Sequence, residues 1–141
     1  MPEFLAEGSA IQNLLFPDRV VVGTADSQTG RDAFELLRAQ YSNFSTRFIH
    51  VRTASSELGK LFANAMLAQR ISSINSMTQL SEVVGASVQD LSQIVGADSR
   101  VGPAFLNSSP GFGGSCFEKD LLSLVYILEY NDQPEAAAYW Q

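Results

Sequence analysis

The chain has 141 residues, 45% of them hydrophobic and 17% charged, with a net charge of −6. It is long enough to bury a core as one domain with part of a second, and its ordinary composition argues against disorder and fibrous architectures. An acidic balance speaks against a sequence-independent hold on nucleic acid or anionic lipid, and the apolar runs stop short of the roughly 20 residues that a membrane span requires.

The segment Met-Pro-Glu-Phe-Leu-Ala-Glu-Gly opens abruptly on a proline and an apolar pair, which reads as a cut end. Arg19–Gly23 is a β-branched run closed by glycine, predicting a short buried strand, and Ser27–Tyr41 predicts a helix with Ala33, Phe34, Leu36, Leu37 and Tyr41 as its apolar positions. Arg47–Val51 predicts a second strand, so the first fifty residues read as the tail of an alternating α/β unit. From Thr53 the spacing predicts one long helix, capped by Ser55 or Ser56 and running to Gly85, about thirty residues or roughly 45 Å. A helix of that length in a small chain is expected to be buried on more than one side. Its Ala and Ser positions leave room for a second helix, a symmetric partner among the candidates. Ser87 with Asp90 predicts a capped helix ending near Gly96. Arg100–Ser115 reads as a loop, Glu118–Tyr130 as a helix, and Pro134 as the start of a short last helix carrying Trp140.

Chemistry concentrates at Gly111-Phe-Gly-Gly-Ser-Cys-Phe-Glu-Lys-Asp120, where the only cysteine, Cys116, meets the start of a helix. A helix N-terminus and Lys119 both favour the thiolate, the nucleophilic form, and the glycines let backbone approach a ligand. The alternative is a small buried hydrophobe beside a turn. Lys60 and Asn64 stand four apart on the long helix, hence on one face, where they grip one ligand or simply face water. Glu3 and Glu7 flank Phe4 and Leu5, as an acid–base pair or as solvated carboxylates. His50 reads as structural, and no set of residues with metal-ligand spacing surrounds it. A lone cysteine and the lack of a charged-then-apolar leader point to a reducing, cytoplasmic setting.

Taken together, MPEFLAEG, SSELGKLFANAMLAQRISSINS and GFGGSCFEKD resemble three consecutive signatures of the UDP-glucose dehydrogenase family, in order and at similar spacing, over essentially the whole chain. The Ala68–Asn75 stretch, AQRISSIN, resembles the eukaryotic-type enzymes. The resemblance implies a mainly α fold with a small α/β N-terminal part: residues 1–52 as the tail of an NAD-binding Rossmann-like domain with a remnant of its sheet, and 53–141 as a central helical dimerisation domain. It implies NAD as cofactor, UDP-glucose as substrate, oxidation to UDP-glucuronate, and a homodimer through the long helix, with higher oligomers in some members.

By the same resemblance Cys116 matches the nucleophile, Lys60 the lysine that stabilises oxyanions and moves protons, Asp120 the aspartate that orients water, and Glu3 the glutamate that assists thioester hydrolysis. Phe4, Leu5, Ala6, Glu7, Asn64, Phe105, Asn107 and Gly113 would line the substrate. Glu7, Cys116, Phe117, Glu118 and Lys119 would approach NAD, and Arg100 would reach the neighbouring subunit's substrate. Some features depart from the family. No Gly-x-Gly-x-x-Gly turn is present, Met1 stands where asparagine is usual, and Asn107 replaces a lysine. Gly59 lies inside a helix at a cost of about 1 kcal/mol relative to alanine, which leaves space for close packing. The expectation is therefore a catalytic core that needs flanking domains, with two alternatives: a non-catalytic dimerisation module, or a dehydrogenase of another sugar nucleotide.

Overall fold

The computed structural model describes residues 8–44, 47–111 and 115–141, with Ser115 in its backbone only. The chain divides into two compact units, residues 1–60 and 61–141. In the first unit, α1 (Ala10–Leu15) precedes β1 (Val20–Thr24), α2 (Gln28–Tyr41) and β2 (Phe48–Arg52). The strands pair in parallel, from Val20 opposite Phe48 to Thr24 opposite Arg52, with α2 as the crossover that parallel pairing demands. The Ser27 hydroxyl caps α2 by accepting the Gly30 N–H at 3.1 Å. A side chain at Gly30 would collide with the Ala25 carbonyl, so glycine is what lets the helix start so close to the strand end.

Phe34 of α2 is buried, and its ring stacks on His50 of β2 with centroids 4.2 Å apart and planes 2° off parallel. His50 Nε2 also lies 2.6 Å from Thr24 Oγ1 across the sheet. The histidine thus ties strand to strand and strand to helix, the structural role its sequence context suggested. β1 is only half-buried along its length. Beside it opens a cavity of about 620 Å³ walled by Leu14, Phe16, Val20, Val22, Leu37 and Tyr41. Parallel strands are ordinarily covered on both faces; here an apolar face of the pair stays open.

α3 (Thr53–Ser76) follows β2 directly, and α4 (Thr78–Val84), α5 (Val88–Ala97), α6 (Ser115–Tyr130) and α7 (Pro134–Trp140) complete the chain. The core of the second unit is built from Ala65, Ala68, Ile71 and Ile74, one stripe of α3 at three-residue steps, with Leu124 and Val125 of α6 and Ala137 of α7. α6 and α7 pack together. Phe62 meets Trp140 edge-on, centroids 5.7 Å apart.

The mainly helical class with a small parallel sheet matches the expectation, but three details differ. The long helix is two: at Met77 the N–H turns to the Ile74 carbonyl at 3.1 Å, a tighter step, and α4 starts afresh. The cause is local, since the Ser76 hydroxyl bonds back to the Ser73 carbonyl at 2.8 Å in a polar stretch of weak helix formers. Ser55 and Ser56 do not cap α3; Ser56 lies inside it and donates to the Thr53 carbonyl at 2.8 Å. Within a single chain the helix is buried on one side, with Phe62 and Met66 45% and 40% exposed on the side away from the core stripe. Gly59 has open space where its side chain would be, not a close neighbour. Among the described residues no helix is long and apolar enough to cross a membrane.

Candidate active site

Helix α6 begins at Ser115, three residues before the expected start, which places Cys116 in its first turn. The thiol is exposed, against the reading of a small buried hydrophobe. Glu118 and Lys119 are exposed on the same turn, while Phe117 is half-buried. The Phe117 ring meets Phe105 edge-on at 6.1 Å, so two of the expected site residues, 12 positions apart, form one aromatic wall beside the cysteine.

One turn further, Asp120 is 1% exposed. The Asn64 amide of α3 donates to Asp120 Oδ2 at 2.6 Å. A buried carboxylate needs such donors, because an ion stripped of water is costly unless hydrogen-bonded. Asn64 therefore has one amide hydrogen committed to Asp120, with its second N–H and its carbonyl oxygen remaining for a ligand. Lys60 is half-buried and stands one helical turn before Asn64 on α3.

Arg100 is exposed in the loop after α5, and both its side chain and its backbone N–H bond to Asp98, with Nη2 2.6 Å from Oδ2 and the N–H 3.0 Å from Oδ1. The Arg100 side chain, then its N–H, hold the Asp98 carboxyl below its ordinary value of 3.8, and the same pairing holds the guanidinium pKa above its usual value. The arginine that was expected to reach a neighbouring subunit is thus steadied within its own loop. Asn107 is exposed. Glu3, Phe4, Leu5, Ala6, Glu7 and Gly113 lie outside the described residues. Among the described residues there is no group of three His, Cys, Asp or Glu that would hold a metal.

Sequence reasoning missed three residues that shape this region. Asp98 organises Arg100. Arg70 of α3 donates to three carbonyls of the 101–104 loop, and Asn75 accepts the Ser109 N–H at 2.9 Å. Only Arg70 and Asn75 left a trace beforehand, as members of the AQRISSIN stretch.

Within the second unit, an exposed thiol in the first turn of α6 thus stands one turn before a buried carboxylate that an asparagine of α3 bonds. Residues 54–140 match the central domain of the UDP-glucose/GDP-mannose dehydrogenase family and residues 1–45 its NAD binding domain, and the chain belongs to this family. It is 54% identical over 142 aligned residues to UDP-glucose 6-dehydrogenase 1 of Glycine max, and equally to UDP-glucose 6-dehydrogenase 3 of Arabidopsis thaliana; each alignment takes in 99% of this chain and 30% of the relative. A UDP-glucose dehydrogenase structure from the hyperthermophilic archaeon Pyrobaculum islandicum superposes with a TM-score of 0.86 at 31% identity, covering 97% of this chain and 31% of that one. The chain thus spans about a third of the length of the relatives it matches.

Proposed function

We propose that this chain carries the helical core and thiol site of an NAD-dependent UDP-glucose 6-dehydrogenase, acting in the cytoplasm on UDP-glucose to give UDP-glucuronate. The observation that carries the reading is the exposed Cys116 on the first turn of α6, one turn from the Asn64–Asp120 pair. In this reading residues 1–52 belong to the cofactor domain and 53–141 to the central domain.

The first turn of α6, on which Cys116, Glu118 and Lys119 are exposed, suits the nicotinamide end of NAD, and Cys116, Phe117, Glu118 and Lys119 with Glu7 would hold that end. NAD supplies the hydride acceptor for both oxidations. Lys60 takes the proton of the C6 alcohol as its hydride leaves, giving the aldehyde. The Cys116 thiolate then adds to the aldehyde carbon, and Lys60 steadies the resulting oxyanion as a thiohemiacetal. Loss of a second hydride and of the hydroxyl proton leaves a thioester on Cys116. Water oriented by Asp120, with Glu3 as base, adds to the thioester carbonyl; the carbon–sulfur bond breaks, the thiolate is regenerated and the acid leaves, while Asn64 touches the sugar. Covalent capture keeps the aldehyde on the protein. Phe4, Leu5, Ala6, Phe105, Asn107 and Gly113 would surround the sugar nucleotide, and Arg100 would serve the site of a second copy paired along α3.

The test is a chimaera in which this chain replaces the matching segment of the Glycine max enzyme. With UDP-glucose it should release about two NADH per sugar, and Cys116→Ser should abolish sustained turnover. Preference for UDP-N-acetylglucosamine or GDP-mannose would move the assignment to another member of the family. Oxidation of none of the three, by a folded chimaera, would leave a dimerisation module.

A further inference from the structure

The AQRISSIN stretch of α3 is not absorbed by the chemistry above, yet two of its side chains hold the loop that leads to the cysteine. The Arg70 guanidinium donates from Nε to the Ala104 carbonyl at 2.8 Å, from Nη1 to Val101 at 3.0 Å and from Nη2 to Gly102 at 2.6 Å. Three carbonyls within a four-residue stretch converge on one planar fork. The next residue, Phe105, has φ +60°, a left-handed conformation that is strained for a side-chain-bearing residue and persists only where the surroundings enforce it. Its ring is the one set against Phe117 beside Cys116. Beyond it the Ser92 hydroxyl donates to the Leu106 carbonyl at 2.6 Å, and Asn75 accepts the Ser109 N–H.

We propose that Arg70 is a positioning residue: by gathering the carbonyls of Val101, Gly102 and Ala104 it holds Phe105 in its strained conformation and so fixes the aromatic wall beside Cys116. The guanidinium matters by shape as well as charge, since a lysine ammonium cannot satisfy three acceptors spread along a planar fork. The functional meaning rests on the reading of Cys116 as nucleophile, but the clamp itself is tested without sugar nucleotide or cofactor.

The experiment uses the intact 141-residue chain, in which Cys116 is the only thiol. Backbone amide exchange across residues 101–106 and the rate of iodoacetamide alkylation are measured for the parent, Arg70→Ala, Arg70→Lys, and Phe62→Ala as a control for general loss of stability. Both Arg70 variants should raise exchange in the loop roughly tenfold or more and change the alkylation rate severalfold. Phe62→Ala should lower the melting temperature and leave both readings near the parent's. If Arg70→Ala does not fold, Arg70→Lys carries the test. Full retention of both readings by Arg70→Lys overturns the proposal, and so does an equal change in Phe62→Ala. An inactive chimaera alongside a loosened loop would reject the thiol chemistry and keep the clamp, whereas an active chimaera with an indifferent loop would do the reverse.

Discussion

Asp120 and Asn64 are 56 positions apart, and nothing in their local sequence announces that an amide of one helix ends 2.6 Å from a carboxylate of another. The resemblance marked both residues for the site, but it is packing of α3 near α6 that joins them. Asn64→Asp tests how much the pair matters. The change preserves shape while bringing a second carboxylate against one that is 1% exposed. At pH 7 it should lower the unfolding free energy in urea by about 3 kcal/mol. An unchanged unfolding free energy would show that water relieves the second carboxylate instead. Asp98 carries a pH dependence of its own. Its native carboxyl lies below 3.8 because Arg100 bonds it, so the pairing favours the fold above that value and is lost as pH falls through the lower native one. In Arg100→Gln the Asp98 carboxyl, followed by NMR, should return toward 3.8, and an unchanged titration would mean that the loop backbone alone sets it.

At the scale of the element, β1, α2, β2, α5 and α7 were legible because each carries a local signal that tertiary structure does not override. These are a β-branched run, the apolar period that starts after Ser27, Ser87 as a cap that the structure confirms at 3.2 Å, and Pro134 at a helix start. α1 was not legible, being six residues with no side-chain cap and too short to show a period. The break at Met77 was hidden for another reason. Apolar spacing continues across it through Met77 and Leu80, while the Ser76 hydroxyl bonds back to the main chain at the end of the first helix. Gly85, at φ +71°, closes α4 where a glycine stop was expected. Gly59 is the converse case, a glycine whose conformation any residue adopts and whose side-chain direction is open. Gly59→Ala should therefore raise stability by about 1 kcal/mol, read as a higher melting temperature in dilute solution. A drop that grows with protein concentration would instead reveal a second copy packed against that turn.

For the whole molecule, the question is what covers α3. Its stripe of Ala65, Ala68, Ile71 and Ile74 is buried, whereas Phe62 and Met66, one turn apart on another side, are 45% and 40% exposed. Small neighbours such as Ala63 and Ser73 keep that surface thin enough for a helix to approach closely. This arrangement supports the proposed homodimer along α3, in which a two-fold axis brings the same patch of both copies together. The resemblance pointed to that pairing, and composition alone did not, because scattered exposed apolar residues are ordinary on a monomer. Met66→Glu separates the two cases. If α3 is the seam, a carboxylate from each copy meets its own mate in a desolvated setting, and the dimer dissociation constant from sedimentation should rise at least about tenfold, equivalent to roughly 1.4 kcal/mol. Amide exchange in α6 should stay the same, since the substitution lies off the core stripe. If the parent sediments as a monomer at every concentration, or if Met66→Glu dimerises as tightly as the parent, α3 is not the seam and Arg100 has no second copy to serve by that route. The chimaera would then have to take its substrate contacts from within a single chain.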